Sequence, residues 1–159
     1  MKATWPLFEF TKHITDDLHP IFSHFPIALL VLAVVLSAAS RWLIQLQETT
    51  WILLGCGALF ALASAATGIL AHFPYEQTPL AGAMERHQNL GLATTALFVL
   101  LAVWRWIARR QGTDNGASWP FLICLLAGLI LMTLVGGTGG SLVYDHGANV
   151  RSVNPLLKK

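Results

Sequence analysis

The sequence has 159 residues, of which 55% are hydrophobic and only 11% are charged, with a formal net charge of +2 at pH 7. Soluble domains carry about a quarter charged residues, so this chain has too little ionisable surface to fold as a water-soluble globule. Its few basic residues are scattered along the chain, which argues against a nucleic-acid groove.

Four long uncharged stretches predict four membrane-spanning helices, in chain order about 18–43, 50–72, 79–109 and 118–142. Each stretch approaches or exceeds the roughly 18 apolar residues that signal a spanning helix. Strands are excluded, because backbone groups in lipid must pair within their own segment or in a closed barrel, whose strands alternate. The predicted fold class is therefore an all-α membrane protein.

Short connections between these helices predict an up-down-up-down four-transmembrane-helix bundle, a single domain over residues 1–159 with an irregular C-terminal tail. Membrane lipid is the first expected partner, and association into a homo- or hetero-oligomer is also compatible with the small-residue helix faces. The glycine cluster at 136–140 is expected to end the fourth helix.

The antiparallel topology makes the two ends of the bundle chemically different. Five histidines are predicted to lie toward one membrane face: His19, His24, His72, His87 and His146. Tryptophans fall at the opposite face, where indole rings favour the headgroup region: Trp42, Trp51, Trp104, Trp106 and Trp119. His13 is only a short distance upstream of the histidine group.

Small residues mark one face of the second helix at helical spacing: Gly57, Ala61, Ser64, Ala65 and Gly68. In lipid, helices approach most closely where side chains are small, so this face predicts tight helix packing. It leads directly to His72, and it also leaves room for a flat ligand between helices.

Histidine is unfavourable inside a membrane span unless it is paired, and such residues usually mark function. Bis-histidine haem b is the preferred hypothesis, with His24 and His87 as axial ligands on the diagonal first and third helices. Gly91 lies one turn after His87, where the lack of a side chain would admit a porphyrin edge. Arg86 and Arg151 could pair with the haem propionates.

A copper or zinc site is the alternative, built from His19, His24, His87 and His146, with His72 as a further candidate ligand. His19 and His24 are five residues apart, which turns them about 140° from each other on a helix. A third hypothesis is a structural membrane anchor whose histidines only form hydrogen bonds. Residue spacing alone leaves all three open.

Two motifs resemble a known family. The stretch from His19-Pro20 to His24-Phe25-Pro26, and the closing stretch Gly139 to Gly147, are similar to a family of small bacterial four-helix membrane proteins catalogued as a domain of unknown function. The resemblance covers nearly the whole chain. Some members of that family are joined to Rieske iron-sulfur or cytochrome c modules, which implies an electron-transfer setting in the bacterial inner membrane.

Together these observations predict a membrane-embedded electron-transfer protein or oxidoreductase subunit rather than a stand-alone enzyme. Its expected partner is a cytochrome c or Rieske-type protein, or quinone. The arginine cluster from Arg105 to Arg110 lies near a short loop, a feature typical of the cytoplasmic side. The histidine end and both termini are therefore expected on the periplasmic side.

Overall fold

The structure, a computed structural model, describes residues 14–150 and 153–154 and consists of four long helices. In chain order they are α1 (Ile14–Ala39), α2 (Leu46–His72), α3 (Ala81–Arg110) and α4 (Trp119–Tyr144). A short 3-10 turn, Phe73–Tyr75, follows α2. All four helices are long and apolar enough to cross a membrane, and no strand is present in the described part of the chain. The predicted fold class, an all-α four-helix membrane protein, is confirmed.

The helices pack as a ring in which α1 contacts α2, α2 contacts α3, α3 contacts α4, and α4 contacts α1. This arrangement places α1 and α3 on one diagonal of the bundle and α2 and α4 on the other. Short connections make sequential helices antiparallel, so the starts of α1 and α3 and the ends of α2 and α4 share one end. We call this the histidine end, and the other the arginine end.

The first helix ends earlier than the sequence predicted, at Ala39 instead of about residue 43. Here the Arg41 side chain donates from Nη1 to the Ala117 carbonyl at 2.7 Å, and its guanidinium lies 4.3 Å from the centre of the Trp119 ring. These contacts attach the turn after α1 to the start of α4. The second helix begins correspondingly earlier, at Leu46.

The fourth helix also departs from expectation, because it continues through the glycine cluster to Tyr144. The chain turns instead at Gly147, which has a left-handed φ of 64°. The Gly147 N–H donates to the Val143 carbonyl, which is the bond of an αL helix cap, and the Ala148 N–H donates to the Leu142 carbonyl. The prediction that glycines 136–140 end the helix was wrong, since a helix packed on its neighbours tolerates them.

The segment after α4 folds back onto the histidine end. The buried Tyr75 hydroxyl accepts hydrogen bonds from the Asn149 backbone N–H and from Nδ2 of Asn154, both at 3.0 Å. The tail is thereby fastened to the turn that follows α2.

The densest apolar packing lies toward the arginine end. Leu30, Leu54, Phe98 and Leu125 are almost fully buried there, within a cluster contributed by all four helices. Several tryptophans surround this end and are exposed to the surroundings of the bundle: Trp42, Trp104, Trp106 and Trp119. The predicted separation of histidines and tryptophans is confirmed for these described residues.

Arg105 closes the arginine end and is only 1% exposed. Its Nε lies 3.2 Å from Oδ1 of Asp114, its Nη1 donates to the Thr50 hydroxyl and its Nη2 donates to the Gln47 carbonyl. Arg109 also binds Asp114, at 3.1 Å. One guanidinium therefore joins α2, α3 and the loop before α4.

Candidate functional site

The histidine end encloses a cavity of about 510 Å³ between the four helices. Its volume is within the range of ligand pockets, which is roughly 300–1,000 Å³. Most of its wall is apolar, and it includes four histidines: His19, His24, His72 and His87.

His19 projects from α1 onto α2. Its Nδ1 lies 3.0 Å from the Ser64 carbonyl and 3.5 Å from the Thr67 hydroxyl. A methyl group on Gly68 would lie only 3.0 Å from Cε1 of the imidazole. The ring therefore occupies space that α2 leaves free because position 68 has no side chain.

His87 projects from α3 onto α4 in the same way. Its Nδ1 lies 3.0 Å from the Thr138 hydroxyl, and the Val135 carbonyl also faces the ring. A methyl group on Gly139 would lie 2.9 Å from Cε1 of His87.

These two environments are equivalent positions in a two-fold internal repetition. On the first helix of each hairpin, His87 follows His19 and Phe98 follows Leu30 by the same 68 residues. On the second helices, Gly139 follows Gly68 and Gly128 follows Gly57 by 71 residues, and Thr138 follows Thr67 by the same interval. The hairpins α1–α2 and α3–α4 thus each supply one histidine and one Thr-Gly pair to the cavity.

The same repetition holds at the other glycine contacts. A methyl group on Gly57 would lie 2.5 Å from Leu30, and one on Gly128 would lie 2.6 Å from Phe98. On the first helix of each hairpin the histidine and the core residue are eleven residues apart. On the second helix the two glycines that they contact are also eleven residues apart. Because eleven residues are close to three full helical turns, each packing contact sets the rotation that aims the histidine.

The hydrogen bonds determine which ring nitrogen carries the proton. The Thr138 hydroxyl donates to carbonyls of its own helix, at Leu134 and Val135, so its oxygen accepts from His87. The partner of His19 Nδ1 at Ser64 is a carbonyl, which can only accept. Both imidazoles are therefore assigned as Nδ1–H, which leaves the Nε2 lone pair of each available as a metal ligand.

The two rings are neighbours across the bundle, with centroids 6.2 Å apart and planes at 76°. Two imidazoles on opposite sides of one metal ion, each bound at about 2 Å, have centroids on the order of 6 Å apart. Neither ring forms an ion pair with a carboxylate of the described residues. The arrangement is a pair of neighbouring imidazoles from diagonal helices, whose Nε2 atoms could serve as nitrogen ligands.

The other predicted site residues are placed differently. His24 lines the cavity but is exposed, and its Nδ1 contacts the Pro20 carbonyl of its own helix. His72 lines the cavity and its Nδ1 lies 2.6 Å from Oε1 of Gln88. Gly91 also lines the cavity, with open space where a side chain would begin.

Three predicted residues lie apart from this wall. His146 is exposed, with Nδ1 3.1 Å from the Ser141 carbonyl, and it does not line the cavity. Arg86 is exposed and is not among the lining residues. Arg151 and His13 fall outside the described residues, so their predicted roles stay predictions.

Within the described residues, no group of three or more histidine, cysteine, aspartate or glutamate side chains is placed to share a metal ion. The four-histidine arrangement that the copper or zinc alternative requires is thus not assembled there. The two-ligand arrangement needs only His19 and His87.

Sequence reasoning missed the hydrogen-bond acceptors Ser64 and Thr138 and the position of His19 beside His87. The depth of His24 in the span suggested it as the partner of His87, whereas the structure places the His19 ring there. The repeated eleven-residue spacing of histidine to core residue and of glycine to glycine was the signal that could have identified His19.

A protein-family model described as a predicted membrane protein, DUF2231, matches residues 15–152. The chain belongs to this family, as the resemblance had indicated. No curated protein and no solved structure matches the chain.

Proposed function

We propose that this DUF2231 protein binds haem b through His19 and His87 and acts as a membrane-embedded electron-transfer protein or subunit. The observation that carries the proposal is the pair of equivalent imidazoles, one from each hairpin, each held through Nδ1 and with centroids 6.2 Å apart. Bis-histidine haem requires two neutral imidazoles on opposite sides of the porphyrin.

The donor set and the cavity both fit this group. Hydrogen bonds through Nδ1 orient metal-binding histidines and raise their basicity as ligands. Gly91 lines the cavity with open space where a side chain would begin, which suits a broad flat ligand. When bound, haem would supply reversible one-electron transfer, and the chain would supply ligation, orientation and an apolar surround.

His24 is the competing axial partner of His87, because it lines the same cavity. Its Nδ1 is held by the Pro20 carbonyl within its own helix, whereas the Nδ1 of His19 is held by the neighbouring helix α2. A hydrogen bond from an adjacent helix fixes the orientation of the ring relative to the bundle interior. This favours His19 as the partner of His87.

The site is at one end of the bundle, which restricts the electron path. A single haem near one face does not carry electrons across the roughly 30 Å of hydrocarbon. The electron partner is therefore a protein at the same face, such as a cytochrome c or Rieske-type protein, or a quinone within the bilayer. We place the histidine end on the periplasmic side of a bacterial inner membrane, because the arginines of the opposite end favour the cytoplasm.

The test is the reduced-minus-oxidised visible spectrum of the purified protein, with haem quantified chemically. We expect about one haem per chain, and at least about tenfold less in His19→Ala and in His87→Ala. Addition of free imidazole to the His87→Gly variant should restore the spectrum, which would show ligation rather than a folding role. Circular dichroism and size-exclusion profiles control for folding, and Arg110→Gln at the opposite end should retain the haem.

Each other outcome selects an alternative. Loss of haem in His24→Ala but not in His19→Ala would assign the axial pair to His24 and His87. Stoichiometric copper or zinc without porphyrin would favour the metal-binding alternative. A wild-type protein that binds neither would leave the structural anchor.

A further inference from the structure

The cavity at the histidine end is open on one side, where little protein covers it. The lining residues that remain exposed concentrate on α1 and α4, whereas those on α2 are buried or half-buried. The exposed members on these two helices are Pro20, His24 and Ile27, and Gly136, Val143 and Tyr144.

The packing of the helices agrees with this distribution. Of the four neighbouring pairs, α1 and α4 make the least contact. A methyl group on Gly136 would meet no atom within 4 Å. Since these residues lie within helices that are long and apolar enough to cross a membrane, we expect the opening between α1 and α4 to face lipid.

The internal repetition gives this opening a counterpart elsewhere in the bundle with which it can be compared. The two-fold counterpart of the α1–α4 gap is the gap between α3 and α2, which is more closely packed. The counterpart of His24, 68 residues later, is Leu92. The chain therefore has a histidine at the more open gap and at the more closely packed gap a leucine, which also lines the cavity and is 39% exposed.

The hydrogen bond of His24 defines what it can bind. Its Nδ1 contacts the Pro20 carbonyl, an acceptor, so Nδ1 is the protonated nitrogen and Nε2 is an acceptor. Ile27 and Val143 give the opening apolar walls, and Gly136 allows close approach of a flat ring. A ligand that suits the opening is soluble in lipid, planar and able to donate a hydroxyl hydrogen.

We propose that the opening between α1 and α4 binds the head of a membrane quinol, with a quinol hydroxyl donating to Nε2 of His24. The quinol tail would remain in the lipid outside the gap. The role of a bound quinol as an electron donor to the site rests on the proposed function. Its binding in the opening does not. The binding itself involves no covalent or redox step.

The experiment measures binding of decylubiquinol, under anaerobic conditions, to previously reduced protein in lipid nanodiscs, with the bound quinol extracted and quantified. Decylubiquinone with the oxidised protein serves as the comparison, because it lacks the hydroxyl donor. We expect the wild type to bind the quinol more tightly than the quinone. His24→Leu, which copies the Leu92 counterpart, should weaken quinol binding about threefold to tenfold and remove the preference.

A matched glycine pair tests the position of the opening. Gly136 lines the cavity and Gly137 does not, and both have open space where a side chain would begin. Gly136→Leu should abolish saturable quinol binding, and Gly137→Leu should leave it unchanged. Equal effects of the two variants, or equal binding of quinol and quinone by the wild type, would overturn the inference.

The failures of this inference and of the proposed function are distinguishable. A haem spectrum in a protein without saturable quinol binding would refute the quinol site and leave the haem proposal intact. Quinol binding with the expected variant pattern, in a protein that lacks haem, would support the opening and refute the haem.

Discussion

The two ends of the bundle use polar side chains in opposite ways. At the arginine end, Arg105 is buried and bonded to Asp114, Thr50 and the Gln47 carbonyl. At the histidine end, His19 and His87 use only Nδ1 within the protein and surround a cavity of about 510 Å³. At the arginine end the hydrogen bonds hold the helices together. At the histidine end the Nε2 atoms and the cavity leave room for the proposed ligand.

This difference separates the proposed binding site from the most densely packed part of the core along the same helices. The buried apolar cluster lies toward the arginine end, and the cavity-lining glycines with open space, Gly91 and Gly136, lie toward the histidine end. Substitutions in the two halves should consequently have separable effects, which the following variants examine.

The largest effect on stability is expected from Arg105→Met. Removing the guanidinium leaves the Gln47 carbonyl and the Thr50 hydroxyl without this donor and leaves Asp114 with Arg109 alone. Breaking a buried charge pair in this way costs about 3–5 kcal/mol. The loss is measured as the change in unfolding free energy when the purified protein is titrated with a denaturing detergent in mixed micelles.

Arg110 supplies the control for this variant, because it is exposed and, among the described residues, its guanidinium contacts the Trp106 ring. Arg110→Gln should change the unfolding free energy by less than about 1 kcal/mol. A similar loss of unfolding free energy in both variants would contradict the claim that the buried Arg105 network stabilises the arginine end.

Two equivalent glycines provide the second comparison. Gly128→Ala would place a methyl group 2.6 Å from the fully buried Phe98 ring, so overpacking of about 1–3 kcal/mol exceeds the helix-propensity gain of about 1 kcal/mol. Gly139→Ala meets the His87 ring at 2.9 Å, but this ring borders a cavity and can move.

We therefore expect Gly128→Ala to lower stability and to preserve haem binding. We expect Gly139→Ala to preserve stability and to weaken haem binding. Detergent unfolding and haem titration, performed on both variants, measure the two effects. The separation of the two halves would be wrong if Gly128→Ala reduced haem affinity as strongly as Gly139→Ala.

The last comparison concerns Thr138→Val, which removes the hydroxyl that accepts from His87 Nδ1. Loss of such a partner costs about tenfold to 100-fold in metal affinity without removing the ligand itself. Thr67→Val, at the equivalent position, should cost less because the Ser64 carbonyl at 3.0 Å still holds His19. Haem dissociation rates and the midpoint potential measure both changes.

Thr133 controls for the valine substitution itself, since its hydroxyl bonds only to the Leu129 carbonyl of its own helix among the described contacts. Thr133→Val should leave the potential unchanged. Equal shifts in all three threonine variants would mean that the hydroxyls do not act through the histidines.

Much of the fold follows from the sequence for a simple physical reason. Lipid requires each spanning segment to satisfy its own backbone, so uncharged stretches identify helices, and short loops make them antiparallel. This reasoning correctly brought the histidines to one end. Helix ends were less predictable, because the end of α1 depends on Arg41 contacting Ala117 and Trp119 on another helix.

The identity of the neighbouring histidines depended on helix rotation, which composition does not determine. His19 and His24 are both near the start of α1, and the packing of α1 on α2, which includes Leu30 against Gly57, decides which of them faces the bundle interior. The hydrogen-bond partners Ser64 and Thr138 were equally inaccessible to reasoning about single helices, because each belongs to a neighbouring helix.

The attachment of the tail to Tyr75 has a practical consequence for topology measurements. Because Asn149 and Asn154 are both bound to this hydroxyl, a polypeptide appended after Asn154 would emerge at the histidine end. A fluorescent protein or a phosphatase fused there would report in which compartment the histidine end resides. The same fusion point would hold an appended electron carrier close to the histidines without a long linker.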